Sequence, residues 1–208
     1  MDRTIFVLLL AISVAMLAAF ATAARMNYVS LPFIPDNTSV NAVMSGFGWG
    51  DNLNGDTIYW YNTTSHTFPY AKKRSSGLWS GTLETLEPGQ GYMLKPVHSA
   101  YNLTFVGEVP TGSISVPIVA TTGGVRLNLI GWSNVTENCN ITAAMAGNGY
   151  GDNLNGDTVY WYNASSGGFP YAKKRTNGQW TGTLDCFEPG KGYMFKPVAS
   201  SYTWTYER

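Results

Sequence analysis

The chain has 208 residues, of which 12% are charged, and its thirteen basic and thirteen acidic residues cancel to zero net charge. A balance this even excludes the electrostatic footprint of a nucleic-acid binder or of a protein held on an anionic membrane. Aromatic residues make up 14% of the chain, beside 23 glycines and 10 prolines, and that mixture points to an all-β protein built from short strands and tight turns.

Met1-Asp2-Arg3 opens the chain, an uncharged apolar stretch runs from Ile5 to Phe20, and small residues close it at Ala21-Thr22-Ala23-Ala24. This is the layout of a secretory signal peptide over residues 1–24, cut after Ala23 or Ala24. The rival reading is a retained anchor, because about 20 apolar residues can span a bilayer. With the leader removed, the expected product is secreted or displayed at the cell surface and has no membrane attachment of its own.

The organising feature is an internal duplication. Residues 25–107 align without a gap on residues 126–208 at an offset of 101, with 44 identities in 83 positions. A period this long denotes two tandem domains rather than a short-repeat solenoid. The expected architecture is two small β-sandwich or partly open barrel modules, each with one short helix. About 80 residues close only a modest core.

Within copy one, strands are expected at 27–33, 57–61, 70–74, 78–83, 92–95 and 101–105. A short helix at 39–45 has Ser39 as N-cap and Gly46 as terminator, and Asn140 and Gly147 hold the matching places in copy two. The connector, 108–125, carries the alternation Ile114, Val116, Ile118, which predicts an extended strand rather than a loose tether. The last strand, 202–206, reads Tyr-Thr-Trp-Thr-Tyr, with no proline and no charge. Left as an exposed edge it would pair with another chain, so self-association through this strand is expected.

Trp79-Ser80-Gly81-Thr82-Leu83 followed by Pro88-Gly89-Gln90-Gly91-Tyr92, together with Asn128-Leu129-Ile130-Gly131 in copy two, resembles a β-rich module that recurs in surface and secreted proteins of archaea and bacteria. Its pattern there is roughly Asn-Leu-Ile-Ser/Gly, Trp-x-Gly-x-Leu and Pro-Gly-x-Gly-Tyr. The motif consists of turn and core residues, so the resemblance implies a fold and an extracytoplasmic location. It also implies an envelope, sheath or adhesive role.

Cys139 and Cys186 are the only cysteines, and Thr38 and Thr85 replace them together in copy one. A joint presence points to an intramolecular disulfide, with an intermolecular bridge or free thiols as the alternatives. The loop Asp51-Asn52-Leu53-Asn54-Gly55-Asp56, repeated at 152–157, gathers oxygen donors as a calcium loop does, with Asp51, Asn54, Asp56, Asp152, Asn155 and Asp157 as candidate ligands. Its spacing departs from the twelve-residue calcium loop, and a plain Asx-rich turn is the rival reading. No other cofactor is indicated.

His66 and His98 become Gly167 and Ala199 in copy two, so no histidine-based triad or zinc site is shared by the modules. The acidic pairs lie on turns, and a non-enzyme is expected. Lys72-Lys73-Arg74 and their copies are expected to split between the two faces of a strand and form no patch.

Aromatics are the richest resource. Tyr59, Tyr61, Trp79, Tyr160, Tyr162, Trp180, Tyr202, Trp204 and Tyr206 are candidates for a binding or assembly surface. Alternation puts Tyr59 and Tyr61 on one face of their strand and Ile58 and Trp60 on the other. Six glycosylation sequons occur, at Asn37, Asn62, Asn102, Asn134, Asn140 and Asn163. The functional expectation is an exported structural or adhesive envelope protein whose partner is itself, as homo-oligomer or lattice, or another envelope protein. A secreted carbohydrate-binding protein that uses exposed aromatics on glycans is the alternative.

Overall fold

A computed structural model describes residues 26–44, 55–97, 103, 105, 107–109, 111–120, 127–134, 139–145, 156–198 and 200–206. The leader, Gly46, Gly147 and most of the segment 101–105 lie outside them. The fold is all-β. Copy one forms a five-stranded sheet from β1 (Asn27–Ser30), β2 (Thr57–Tyr59), β3 (Tyr70–Lys73), β4 (Trp79–Gly81) and β5 (Gly91–Lys95), in the order β1-β5-β2-β3-β4. The helix α1 (Val40–Val43) precedes β2. After the connector strand β6 (Ile114–Ile118), copy two repeats the plan with β7 (Asn128–Gly131), α2 (Ile141–Ala144), β8 (Thr158–Tyr160), β9 (Tyr171–Lys174), β10 (Trp180–Gly182) and β11 (Gly192–Lys196). Its order is β7-β11-β8-β9-β10, and β12 (Tyr202–Tyr206) ends the chain. Every strand pairing is antiparallel.

Both helices start where their caps predict. The Ser39 Oγ accepts from the Ala42 N–H at 3.2 Å, and the Asn140 Oδ1 accepts from the Ala143 N–H at 3.3 Å. Each module packs its helix against one sheet face. In copy one that core includes Leu31, Val40, Ile58, Trp79, Tyr92 and Leu94. Copy two has a larger, more aromatic core containing Trp132, Phe187, Phe195, Trp204 and Tyr206.

The shared motifs have identifiable mechanical roles. Gly89 and Gly190 both sit at φ +83°, a left-handed conformation that glycine adopts without strain. The Tyr92 hydroxyl accepts from the Glu87 N–H at 2.6 Å, and Tyr193 does the same for Glu188, so each tyrosine locks the Pro-Gly turn that precedes it. Trp79 is buried, and its indole N–H donates to the Met44 carbonyl at the end of α1.

The connector supplies a partner to one of the two edges of the final strand. β6 is the strand predicted there, with Ile114, Val116 and Ile118 all buried, and it pairs along its whole length with β12. Trp204 and Tyr206, the residues that would have made β12 adhesive, are 0% and 4% exposed within the copy-two core. The physical reason is local. Alternating apolar residues on both strands need one shared floor, and the nearest partner for β12 is on its own chain. The Asn128 side chain fixes the end of the connector, accepting from the Val119 N–H at 2.9 Å and donating to its carbonyl at 3.1 Å.

The two sheets meet about a pseudo-twofold axis. Ser30 N–H donates to Gly190 O at 2.8 Å, and its counterpart Gly131 N–H donates to Gly89 O at 2.7 Å. The bridges Val29 to Lys191 and Gln90 to Ile130 are related in the same way. A third apolar cluster lies here, made of Met26, Tyr28, Tyr59, Tyr61 and Met93 with Leu127, Leu129, Tyr160, Tyr162 and Met194. These are five positions, each contributed once by each copy.

Candidate functional site

The aromatic candidates divide by placement. Trp79, Trp180, Trp204 and Tyr206 are buried module core and are unavailable as a surface platform. Burial of large indoles is what lets modules this small close a core at all. Tyr202 is half-buried, and its hydroxyl donates to Asp157 Oδ2 at 3.4 Å. Burial first, and then the Asp157 charge and the hydrogen bond to it, push the Tyr202 phenol above its ordinary value. Tyr61 is buried and Tyr162 half-buried in the inter-module cluster, where Tyr162 meets Tyr28 edge-on at 6.0 Å between ring centroids. The face assignment from alternation holds. Ile58 and Trp60 belong to the module core, and Tyr59 and Tyr61 to the opposite side.

The disulfide joins Cys139 to Cys186 with a Cα separation of 4.9 Å. The strand bridge beside it, Asn140 to Cys186, recurs in copy one as Ser39 to Thr85. The two threonines therefore occupy the same juxtaposition without the bond. Such a bond persists outside a reducing cytoplasm, and among the described residues no helix is long and apolar enough to cross a membrane.

Of the candidate calcium ligands, Asp51, Asn54, Asp152 and Asn155 lie outside the described residues. Asp56 and Asp157 are buried at 0% and 1% exposure. Each directs Oδ1 at a backbone N–H, Val97 at 2.7 Å and Val198 at 2.8 Å. Both carboxylates thus brace the bend that follows β5 or β11. Among the sequons, Asn62 and Asn163 open equivalent turns and accept from the backbone two and three residues on. Asn37 and Asn140 are exposed, Asn134 is buried, and Asn102 is not among the described residues.

What sequence reasoning missed is a polar and aromatic face on the outer side of each sheet. Strand register builds it. Thr57 on β2 lies opposite Lys72 on β3 and opposite Lys95 on β5, and Tyr59 lies opposite Tyr70 and Met93. Directly opposed residues share a face. The result is a Lys-Thr-Lys row beside a Tyr-Tyr-Met row. Copy two repeats it, with Thr158 between Lys173 and Lys196, and Tyr160 between Tyr171 and Met194.

The alternation argument separated lysines along one strand correctly. A patch forms nonetheless because the second lysine comes from the strand on the far side of β2 or β8. Ring centroids of Tyr59 and Tyr70 are 6.3 Å apart, those of Tyr160 and Tyr171 6.4 Å, and each pair is tilted by about 40°. Tyr70 and Tyr171 are 39% and 40% exposed, with Phe68 and Phe169 still more open beside them. In copy two the face hollows into a groove of about 450 Å³ around Thr158, Tyr160, Tyr171, Lys173 and Lys196, with Gly156, Pro197 and Val198 at its rim.

All eight groove positions carry the same residue in copy one. By contrast, five of the ten buried residues in the copy-one core differ from their counterparts, among them Leu31 against Trp132 and Leu86 against Phe187. Cores ordinarily constrain sequence and surfaces relax it; here a groove lining that includes exposed Tyr171 and Lys196 has stayed fixed while half of the core positions have changed.

No protein-family model matches the chain, and neither a curated protein nor a solved structure matches it.

Proposed function

We propose that this is an exported adhesive protein of the cell envelope or extracellular matrix that binds glycans through the duplicated tyrosine and lysine face, without catalysis. The observation that carries this reading is the identity of all eight groove residues between copies whose buried cores differ at half their positions. Tyr59 and Tyr160 also serve the inter-module cluster, but packing gives no reason to retain the exposed Tyr70 and Tyr171 and the two lysines of each face, whereas a ligand common to both modules does. Tilted aromatic rings on an open sheet offer flat apolar area with polar edges, which suits the faces of sugar rings. The disulfide and the apolar leader are what support export. Glu84, Glu87, Asp185 and Glu188 are exposed on turns, and that placement favours a binding role over hydrolysis, which needs two acids facing across a cleft.

Affinity electrophoresis of the mature chain through gels cast with soluble polysaccharides tests the reading. Retardation should occur with at least one glycan and be abolished in the Y70A/Y171A double variant. Unretarded migration in every gel would remove the glycan role.

Self-association, the second reading, keeps one observation in its favour. In copy two β12 is completed by β6, whereas the residues at the matching offset before copy one, 13–17, belong to the apolar leader. Leu103 and Phe105, the counterparts of Trp204 and Tyr206, are only half-buried. A strand from a second copy would cover them. Sedimentation of the mature chain should then show oligomers that L103K disperses.

A further inference from the structure

Resting on the glycan-binding reading, we infer that the ligand is an acidic polysaccharide, with carboxylates seated on the lysine row and sugar rings on the tyrosine row. The charge pattern of the face carries this. Among the described residues, none of Lys72, Lys95, Lys173 and Lys196 forms an ion pair and no acidic side chain lines the groove. A chain of zero net charge thus places two ammonium groups, without an acidic partner among the described residues, on one face of each module.

The two lysines of each face stand on the strands that flank β2 or β8, close enough to present one positive row without opposing each other directly. Thr57 and Thr158 separate the lysines by two interstrand spacings, about 9.5 Å between their Cα atoms. Carboxylates recurring along a glycan chain can meet such a row, while a single small anion reaches only one end of it. The adjoining tyrosine row makes the demand a joint one, since an acidic peptide would satisfy the lysines and leave the rings unused. The groove volume of about 450 Å³ lies within the range of small-ligand sites, enough for a short stretch of sugar units.

Two such faces on one chain imply avidity. Tyr59 and Tyr160, at the inner ends of the two tyrosine rows, both pack into the inter-module cluster, so the two faces adjoin a packed junction. A polymer long enough to reach both binds far more tightly than a fragment that fills one.

Titration calorimetry of the mature chain with polygalacturonate, dextran and polyglutamate tests the inference. Polygalacturonate should bind and weaken as salt rises. K72Q/K95Q, which empties one face, should lose about tenfold or more by forfeiting avidity, and K72Q/K95Q/K173Q/K196Q should lose binding altogether. The Y70A/Y171A variant should be equally deficient, with near-ultraviolet circular dichroism confirming that the variants stay folded. Dextran binding that equals polygalacturonate and ignores the lysine changes would overturn the acidic ligand while leaving the glycan role intact. Polyglutamate binding of equal strength that ignores the tyrosine changes would overturn the saccharide. Binding to none of the three, together with unretarded migration in the electrophoretic test, would overturn both readings.

Discussion

The Tyr92 phenol is buried and receives the Glu87 N–H at 2.6 Å, and Tyr193 repeats the arrangement at Glu188. Tyr92→Phe keeps the ring and leaves that N–H without its acceptor, so urea unfolding should show a loss of about 1–3 kcal/mol. The same burial pushes both phenols, like that of Tyr202, above their ordinary value of 10.0. Between that value and the higher folded one, the native state holds a proton that the unfolded chain has released. Stability should therefore be level up to about pH 10 and fall as pH rises further. Tyr202→Phe and Tyr92→Phe should each flatten that alkaline decline in a denaturation series from pH 8 to 11.

At the level of strands, β6 decides what β12 can do. With Trp204 sealed beneath it, Trp204→Ala should cost about 3–5 kcal/mol, while Leu103→Ala at the half-buried counterpart should cost less. Thr203 and Thr205 face solvent on the opposite side of β12. T203K/T205K should accordingly leave sedimentation unchanged, an outcome opposite to that of an adhesive final strand. The disulfide is a device of copy two alone. C139T/C186T, which installs the residues of copy one, should fold correctly and lose about 2–4 kcal/mol relative to the oxidised protein.

The whole molecule is shaped by one axis, and the axis explains an asymmetry between the copies. Position 30 is Ser and position 131 is Gly, and a Cβ built on Gly131 would stand 2.5 Å from the Ser30 Cβ. Two side chains cannot both occupy the junction, so one copy has lost its own. Gly131→Ser should destabilise by about 1–3 kcal/mol. The exchange S30G/G131S should recover the part of that loss owed to Ser30 and leave the part owed to the Gln90 carbonyl, which lies 2.6 Å from the same Cβ. No recovery at all would mean that the Ser30 side chain is not what excludes one at position 131.

The sequence by itself determined the elements. Alternation placed β6 and sorted Tyr59 from Trp60, the caps at Ser39 and Asn140 located both helices, and the joint replacement of both cysteines by Thr38 and Thr85 in copy one pointed to the pairing of Cys139 with Cys186. Each of these is set by local periodicity, or by one copy read against the other. The tertiary structure alone decided the rest. Which aromatics are buried depends on what covers them, and Trp204, Tyr206 and Tyr61 are covered by segments far away in the chain. The lysine row was hidden for the same reason, since Lys72 and Lys95 stand 23 positions apart in sequence and become neighbours across Thr57 only through strand register. Periodicity acts along a strand, while a site on a sheet is assembled across strands, and order and register are fixed by the folded core.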